Sequence, residues 1–267
     1  MLASRAVRLS GRVAIVTECG EWESYGVVWA RALAREGASV VVADRDAGRA
    51  ARVAAQLAPA PTLSAALDVG SQASCDALAT LARTRFGRID ALVATHHLWH
   101  DLRLDDASDT YLHEVLDWNA VSLLRLARAV LPAMRAQGGG RIVSLSSIGA
   151  WELGGRLAQR AGATGTVPSV AYAASKILQN GLTRLLATAL GPFGITVNAI
   201  APGMIASPAT LARLSAAERD AFVSRTALRR LLAVEDTAGA LLFLVSDDAA
   251  MMTGQVLVVD AGLVMRG

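Results

Sequence analysis

Short runs rich in Val, Ile and Ala recur along the chain with longer stretches of helical periodicity between them, and this alternation leaves few folds open. The runs Val13 to Thr17, Ser39 to Ala43, Ala91 to Ala94, Arg141 to Leu145, Ile195 to Ile200 and Gln255 to Val259 read as strands, with Thr62 to Leu67 a weaker one. Helical patterns fall near Gly26 to Glu36, Ala47 to Leu57, Ser71 to Arg85, Tyr111 to Gln137, Ser169 to Leu190 and Val234 to Leu244. Strands apolar on both faces and separated by helices imply a parallel sheet covered on both sides. The expected fold class is therefore α/β, a single doubly wound parallel sheet with helices on both faces. No Pro/Ser-rich linker or internal repeat divides it, so residues 1–267 read as one domain. Ligands of such sheets bind beyond the carboxyl ends of the strands.

Composition narrows the function. The chain is 53% apolar but only 4% aromatic, so Ala, Val and Leu carry the packing. No apolar run approaches the roughly 18 residues of a membrane span, and the first ten residues scatter their arginines without an apolar signal segment. The expectation is a soluble, unexported, cytoplasmic protein with no membrane partner. Cys19 and Cys75 have neither metal-ligand spacing nor a disulfide framework, and read as small packing residues in a reducing compartment. The net charge of +3 is carried by arginines spread from Arg5 to Arg266, with no cluster longer than Arg229-Arg230, so a nucleic-acid partner is not expected.

One lysine, Lys176, stands against 25 arginines, four residues after Tyr172. An ammonium is a compact charge of tunable proton affinity, whereas a guanidinium is a planar fork that stays charged. On a helix, positions i and i+4 share a face, and a cation beside a phenol lowers a pKa that starts near ~10. Such a pair suits proton transfer in carbonyl chemistry. A surface tyrosine and lysine one turn apart would satisfy the same spacing.

Further elements converge on the strand ends. Arg141-Ile-Val-Ser-Leu-Ser-Ser147 runs off a strand; Tyr172-Ala-Ala-Ser-Lys176 follows on a helix. Ile195-Thr-Val-Asn-Ala-Ile-Ala-Pro-Gly203 leaves another strand, and Thr253-Gly-Gln-Val-Leu-Val-Val-Asp-Ala-Gly262 closes the chain. In order and spacing this resembles the short-chain dehydrogenase/reductase family, from Arg12 to Gly262. The resemblance implies a Rossmann-like fold and an oxidoreductase that interconverts a secondary alcohol and a ketone by hydride transfer with a nicotinamide cofactor. It makes Tyr172 the acid/base and Lys176 its pKa-lowering partner on the nicotinamide ribose. It also makes Ser147 the hydrogen bond to the substrate oxygen and Asn119 the helix residue that positions a relay water. Ser144 and Ser146 compete for the part of Ser147, and Asn119 in a helix also suits a purely structural role.

On the cofactor side the family glycine loop T-G-x-x-x-G-x-G is altered. The text is Thr17-Glu-Cys-Gly-Glu-Trp-Glu-Ser-Tyr-Gly26, with Gly26 as the last glycine, Ser24 in place of the middle one and Glu18 in place of the first. Gly20 offers another turn, and Thr17, Gly20, Ser24, Tyr25 and Gly26 are the cofactor contacts expected from this loop. Glu18, Glu21 and Glu23 oppose a pyrophosphate unless they face solvent. Asp44 ends the second strand where it accepts from an adenosine ribose and repels a 2′-phosphate, which favours NAD, with NADP second; Arg45 beside it would suit that phosphate. The resemblance adds Asp68 and Val69 at the adenine, Ala94 at the fourth strand, and Pro202, Gly203, Ile205 and Ser207 near the nicotinamide.

Where relatives carry Asn-Asn-Ala-Gly, this chain has Ala94-Thr95-His96-His97, and His96, His97 and His100 crowd beside Trp99 and Asp101. A loop lining the cofactor or substrate pocket is expected there, and no metal. The Gly-rich stretch from Trp151 to Gly165, with Arg156 and Arg160, is a candidate substrate contact, Trp151 being its pocket-wall aromatic; a surface insertion fits as well. The partners expected are a small-molecule substrate and a second copy of the chain: Ile177, Leu182, Leu185 and Leu186 give the Tyr172 helix an apolar face for a homo-oligomer, tetramer or dimer. Two other functions fit the altered loop: a non-redox enzyme on the same scaffold (isomerase, lyase or dehalogenase-like), or a cofactor-free binding protein.

Overall fold

The computed structural model describes residues 7–18, 20, 24–98, 102–103, 109–151, 166–167 and 170–265. In chain order the elements are β1 (Val13–Thr17), α1 (Tyr25–Arg35), β2 (Ser39–Asp44), α2 (Ala47–Ala55), β3 (Thr62–Ala66), α3 (Gln72–Phe86), β4 (Ala91–Ala94) and β5 (Leu102–Arg103). Then come α4 (Asp109–Leu116), a π-helical turn (Asp117–Val121), α5 (Ser122–Ala136), β6 (Gly140–Leu145), β7 (Thr166–Val167) and α6 (Val170–Leu190). The last are β8 (Ile195–Pro202), α7 (Pro208–Arg213), α8 (Ala216–Arg225), α9 (Ala238–Val245) and β9 (Val256–Val259).

Seven strands form one parallel sheet in the order β3-β2-β1-β4-β6-β8-β9, and β5 pairs with β7 in a small antiparallel ribbon. Alternation along the strands sorts side chains to two cores. On β1, Ala14 and Val16 face the layer that holds Val27, Trp29 and Leu33 of α1 and Leu241 and Leu244 of α9. Val13 and Ile15 face Leu78 of α3 and Leu123, Leu126 and Val130 of α5. Each such aliphatic side chain, fully buried, contributes on the order of 1.5–3 kcal/mol.

The strand order reverses between β1 and its neighbours β2 and β4, which opens a crevice at their carboxyl ends. The elements around it are tightly set. Ser24 caps α1 by accepting from the Val27 amide, and the Trp29 indole donates to Thr237 at 2.8 Å, tying α1 to the segment before α9. After β8 the chain passes so near Asp260 that a Cβ on Gly203 would lie 2.8 Å from the Asp260 Cα, so only glycine fits.

Three elements differ from expectation. The single helix expected over Tyr111 to Gln137 is α4 and α5 joined by the π-helical turn at Asp117–Val121, and π turns recur at functional sites. The helix expected from Val234 begins with a 3-10 turn, Val234–Thr237. Two helices, α7 and α8, occupy a segment for which no element was expected; Ser215 three residues before Glu218, the pair whose reciprocal bonds start α8, was the signal for it.

Candidate active site

Tyr172 and Lys176 lie on the first half of α6, over the end of β6. Lys176 is wholly buried, at 0% exposure, with its Nζ 5.5 Å from the centre of the Tyr172 ring. Neither group is a surface ornament. The Lys176 ammonium donates to the Leu145 carbonyl at 2.6 Å and to Gln179 Oε1 at 3.0 Å.

Tyr172 is hydrogen-bonded to the side chain of Ser147. Of the three candidate serines only Ser147 does this: Ser146 donates to Asn180 Oδ1 at 2.6 Å, and the buried Ser144 hydroxyl has no partner among the described residues. Ser147 also accepts from the Gly149 amide at 3.0 Å, capping a 3-10 turn, so its own proton is free for the phenol. The expectation that the phenol is acidified corrects in the free chain. Burial pushes Tyr172 up to about 12 and only the Ser147 bond opposes it, while burial draws Lys176 down to about 7, with the Glu18 carboxylate opposing.

Asn119 sits in the π turn with its amide fully engaged. Its Oδ1 accepts from the Leu98 amide at 2.6 Å, and its Nδ2 donates to the Leu98 carbonyl and to Ser175 Oγ, both at 3.0 Å. Ser175 donates in turn to the Tyr172 carbonyl at 2.6 Å. The side chain therefore clamps the loop after β4 to the turn of α6 that bears Tyr172 and Lys176; no side-chain N–H remains to hold a water. Ser175, beside Lys176, was not singled out in the sequence.

At the crevice, Glu18 holds a left-handed backbone (φ 48°) where the family has glycine. Its side chain turns inward: Oε2 accepts from the His97 amide at 2.9 Å, and burial, helped by Asp44, raises its carboxyl pKa. Gly20 also turns left-handed (φ 62°) and donates to Asp44 Oδ2 at 3.2 Å. Asp44 is buried, with Oδ1 accepting from the Asp46 amide at 2.9 Å. Arg45 lies on the Trp118 ring, 4.1 Å from its centre, and both the Trp118 indole and the Arg45 charge act to lower the Glu18 pKa against its burial. Tyr25 starts α1 edge-on to Trp29, and burial lifts its phenol, with Tyr172 adding to the rise. Gly26 and Ala94 are buried beneath the crevice.

The other expected contacts are dispersed. Asp68 is an exposed carboxylate that accepts from the Gly70 amide at 2.9 Å, and Val69 is buried in the core. Pro202 ends β8, and Ile205 bridges to Leu232. Ser207 spends its oxygen capping α7, accepting from the Thr210 amide at 3.1 Å. Trp151 lines a cavity of about 420 Å³ with Arg184, Gln255 and Asp260, over the β9 edge of the sheet.

The histidine loop is corrected in part. His96 lines no pocket: at 1% exposure it joins Thr17 Oγ1, 3.0 Å from Nδ1, to Ser122 Oγ, 2.6 Å from Nε2. Because Ser122 gives its proton to the Trp118 carbonyl, His96 must donate from Nε2 and accept from Thr17 at Nδ1. It is neutral, its pKa drawn to about 3 by burial and by Lys176. His97 is exposed. No three metal-ligating side chains gather among the described residues. Trp99, His100, Asp101, Cys19, Glu21, Glu23, Arg156 and Arg160 lie outside the described residues. Cys75 is a buried thiol raised to about 11 by burial.

Residues 21–264 match a family model described as "Enoyl-(Acyl carrier protein) reductase". A probable short-chain type dehydrogenase/reductase of Bradyrhizobium diazoefficiens is 35% identical over 263 residues, 96% of this chain and 88% of that one. The chain belongs to the short-chain dehydrogenase/reductase family. A 7α-hydroxysteroid dehydrogenase of Bacteroides fragilis is 32% identical over 267 residues, 97% of this chain and 96% of that one. A solved 7α-hydroxysteroid dehydrogenase, complexed with NADH and 7-oxo glycochenodeoxycholic acid, superposes with a TM-score of 0.87 at 30% identity. That match covers 100% of this chain and 99% of the other. This family member is thus a Rossmann-like oxidoreductase of alcohol and ketone groups, using a nicotinamide cofactor. The readings without redox chemistry have no support among these relatives.

Proposed function

We propose that the chain is an NAD-dependent dehydrogenase in which Tyr172 exchanges a proton with the oxygen of a secondary alcohol or ketone. The observation that carries this is the Tyr172 phenol bonded to Ser147 above a fully buried Lys176. The groups around the crevice fit a dinucleotide: a buried carboxylate at Asp44 and a buried ammonium at Lys176. Thr17, Gly20, Ser24, Tyr25, Gly26, Asp44, Asp68, Val69, Ala94, Lys176, Pro202, Gly203, Ile205 and Ser207 would hold it. Bound NAD supplies the hydride acceptor for oxidation, and NADH the donor for reduction.

The protein's own part is proton handling and orientation. Tyr172 gives its proton to the oxygen in reduction and takes it back in oxidation, while Ser147 hydrogen-bonds the same oxygen and stabilises its developing charge. Phenolate formation at a phenol this buried needs the Lys176 ammonium, since burial alone works against it. Asn119 keeps both groups in register through Ser175. The Asp44 carboxylate, and Arg45 resting on Trp118, support NAD over NADP.

Hydroxysteroids are the substrate class to which the relatives' names point. The enzyme works as a homo-oligomer built through the outer stripe of α6; of the expected face only Ile177 and Leu185 are exposed, together with Val170 and Leu178, whereas Leu182 is buried and Leu186 packs against the core. It acts in the cytoplasm as one domain, with Trp151 toward the substrate. The test is Tyr172→Phe: turnover of a hydroxysteroid panel falls about 10²- to 10⁴-fold while NADH binding, followed by fluorescence, persists. Full turnover in that variant would refute the mechanism.

A further inference from the structure

Lys176 is given a task toward Tyr172, but what keeps a charge on it is a residue outside the family's motif. An ammonium at 0% exposure is unstable unless its N–H groups find acceptors. Two acceptors are present: the Leu145 carbonyl at the end of β6, 2.6 Å away, and Gln179 Oε1, one turn further along α6, 3.0 Å away. The third N–H is left for the tyrosine side.

Gln179 is itself 1% exposed. A buried glutamine costs stability unless its polar atoms are paired, so a glutamine on the inner face of α6 calls for a partner, and Lys176 is that partner. Since an ammonium only donates, the amide must present its oxygen. The next residue repeats the device: Asn180 Oδ1 accepts from Ser146, beside Ser147. Asn180 and the Lys176 ammonium thus pin α6 to the end of β6 under the acid/base pair, while Gln179 holds that ammonium from within the helix.

We propose that Gln179 is the positioning residue of Lys176, its amide oxygen completing with the Leu145 carbonyl a two-acceptor seat that keeps the ammonium charged and facing the Tyr172 ring. This rests on the reading of Tyr172 and Lys176 given under the proposed function. Among the described residues the charged and titratable groups around Lys176 are few. Glu18 at the end of β1 favours its charge; buried His96 after β4 is affected by it and kept neutral; His97 beside it is exposed; Tyr172 stands one turn before it. None replaces an acceptor in contact with Nζ. Without Gln179 one N–H faces no oxygen, the amine sheds its proton at lower pH, and a neutral amine does nothing for a phenolate.

The chain's single lysine makes this directly measurable. Protein labelled with 13C-lysine has one side-chain Cε signal, whose titration in the free protein reports Lys176 alone. The wild type titrates near 7. Gln179→Leu lowers that midpoint by roughly one to two pH units, the size expected for a hydrogen bond to a charged group. It also lowers kcat about tenfold at pH 7 with the NADH Kd nearly unchanged, since less of the amine carries a proton. Gln179→Glu raises the midpoint by at least about one pH unit and restores kcat at that pH. An unmoved midpoint in a cooperatively folding Gln179→Leu overturns the inference. Should that variant not fold, an unmoved midpoint in Gln179→Glu overturns it alone. Failure of the catalytic reading is a separate signal, full turnover in Tyr172→Phe, and leaves this titration standing.

Discussion

Glu18 holds a backbone conformation that costs a non-glycine residue about 1–2 kcal/mol, and it aims a carboxylate into the cofactor crevice. Both penalties vanish in Glu18→Gly. That variant melts at a higher temperature and binds NADH about tenfold more tightly or better, measured by fluorescence titration at pH 8. The sign with pH follows from burial raising the Glu18 pKa: the carboxyl is neutral on the acid side of its titration and charged above it. NADH affinity of the wild type therefore falls as pH rises through that titration, and the dependence is absent from Glu18→Gly. A flat wild-type profile would show that the carboxylate stays clear of the dinucleotide. Arg45 is a second residue-scale determinant. Trp118→Leu removes the ring on which it rests, and affinity for NADPH relative to NADH rises several-fold when both are titrated.

Among the elements, α8 is the most loosely attached. It buries no residue, and its start is fixed by the reciprocal Ser215 and Glu218 bonds, 3.3 and 2.8 Å. Ser215→Ala costs about 1 kcal/mol of local stability. The loss appears as faster amide exchange in 216–225 while the global melting temperature hardly changes. The strands of the main sheet were legible from their apolar runs, β3 only weakly because Ser64 interrupts it, and the helices between them implied parallel pairing; the two-residue strands β5 and β7 were not legible, since only their mutual pairing defines them. Spacing alone put Tyr172 and Lys176 on one helix face, and it took the family resemblance to add Ser147 and to choose it over Ser144 and Ser146. The π turn was not, since a one-residue widening leaves the apolar pattern of Tyr111 to Gln137 unbroken. Nor was the seat of Lys176: a glutamine in a helix ordinarily reads as a solvated face, and only tertiary packing turns Gln179 inward. His96 misled for the opposite reason. A histidine in a loop at the strand ends suggests a pocket wall, yet its two nitrogens are spent between Thr17 and Ser122.

For the molecule as a whole, two buried bases set the acid limit of stability. His96 falls from an ordinary 6.5 to about 3 and Lys176 from 10.5 to about 7, so the folded state holds fewer protons than the unfolded chain across both windows. Stability therefore drops as pH falls from 10.5 to 7 through Lys176, and again from 6.5 to 3 through His96. His96→Ala, though less stable at neutral pH, flattens the lower window by about 1.4 kcal/mol per pH unit, measured by denaturant melts between pH 4 and 6. An unchanged slope would mean His96 is charged in the fold. At the level of assembly, Leu185 is 68% exposed on the α6 stripe, and Leu185→Glu reduces the mass seen by light scattering to that of a smaller species. One more property follows from the lone lysine. An endoprotease specific for lysine has a single bond to cut in this protein, and that bond lies in α6 with its side chain sealed under the helix. Native digestion by such an enzyme is therefore a built-in clock for how often the catalytic helix lifts off the sheet, and cofactor that binds there should slow it.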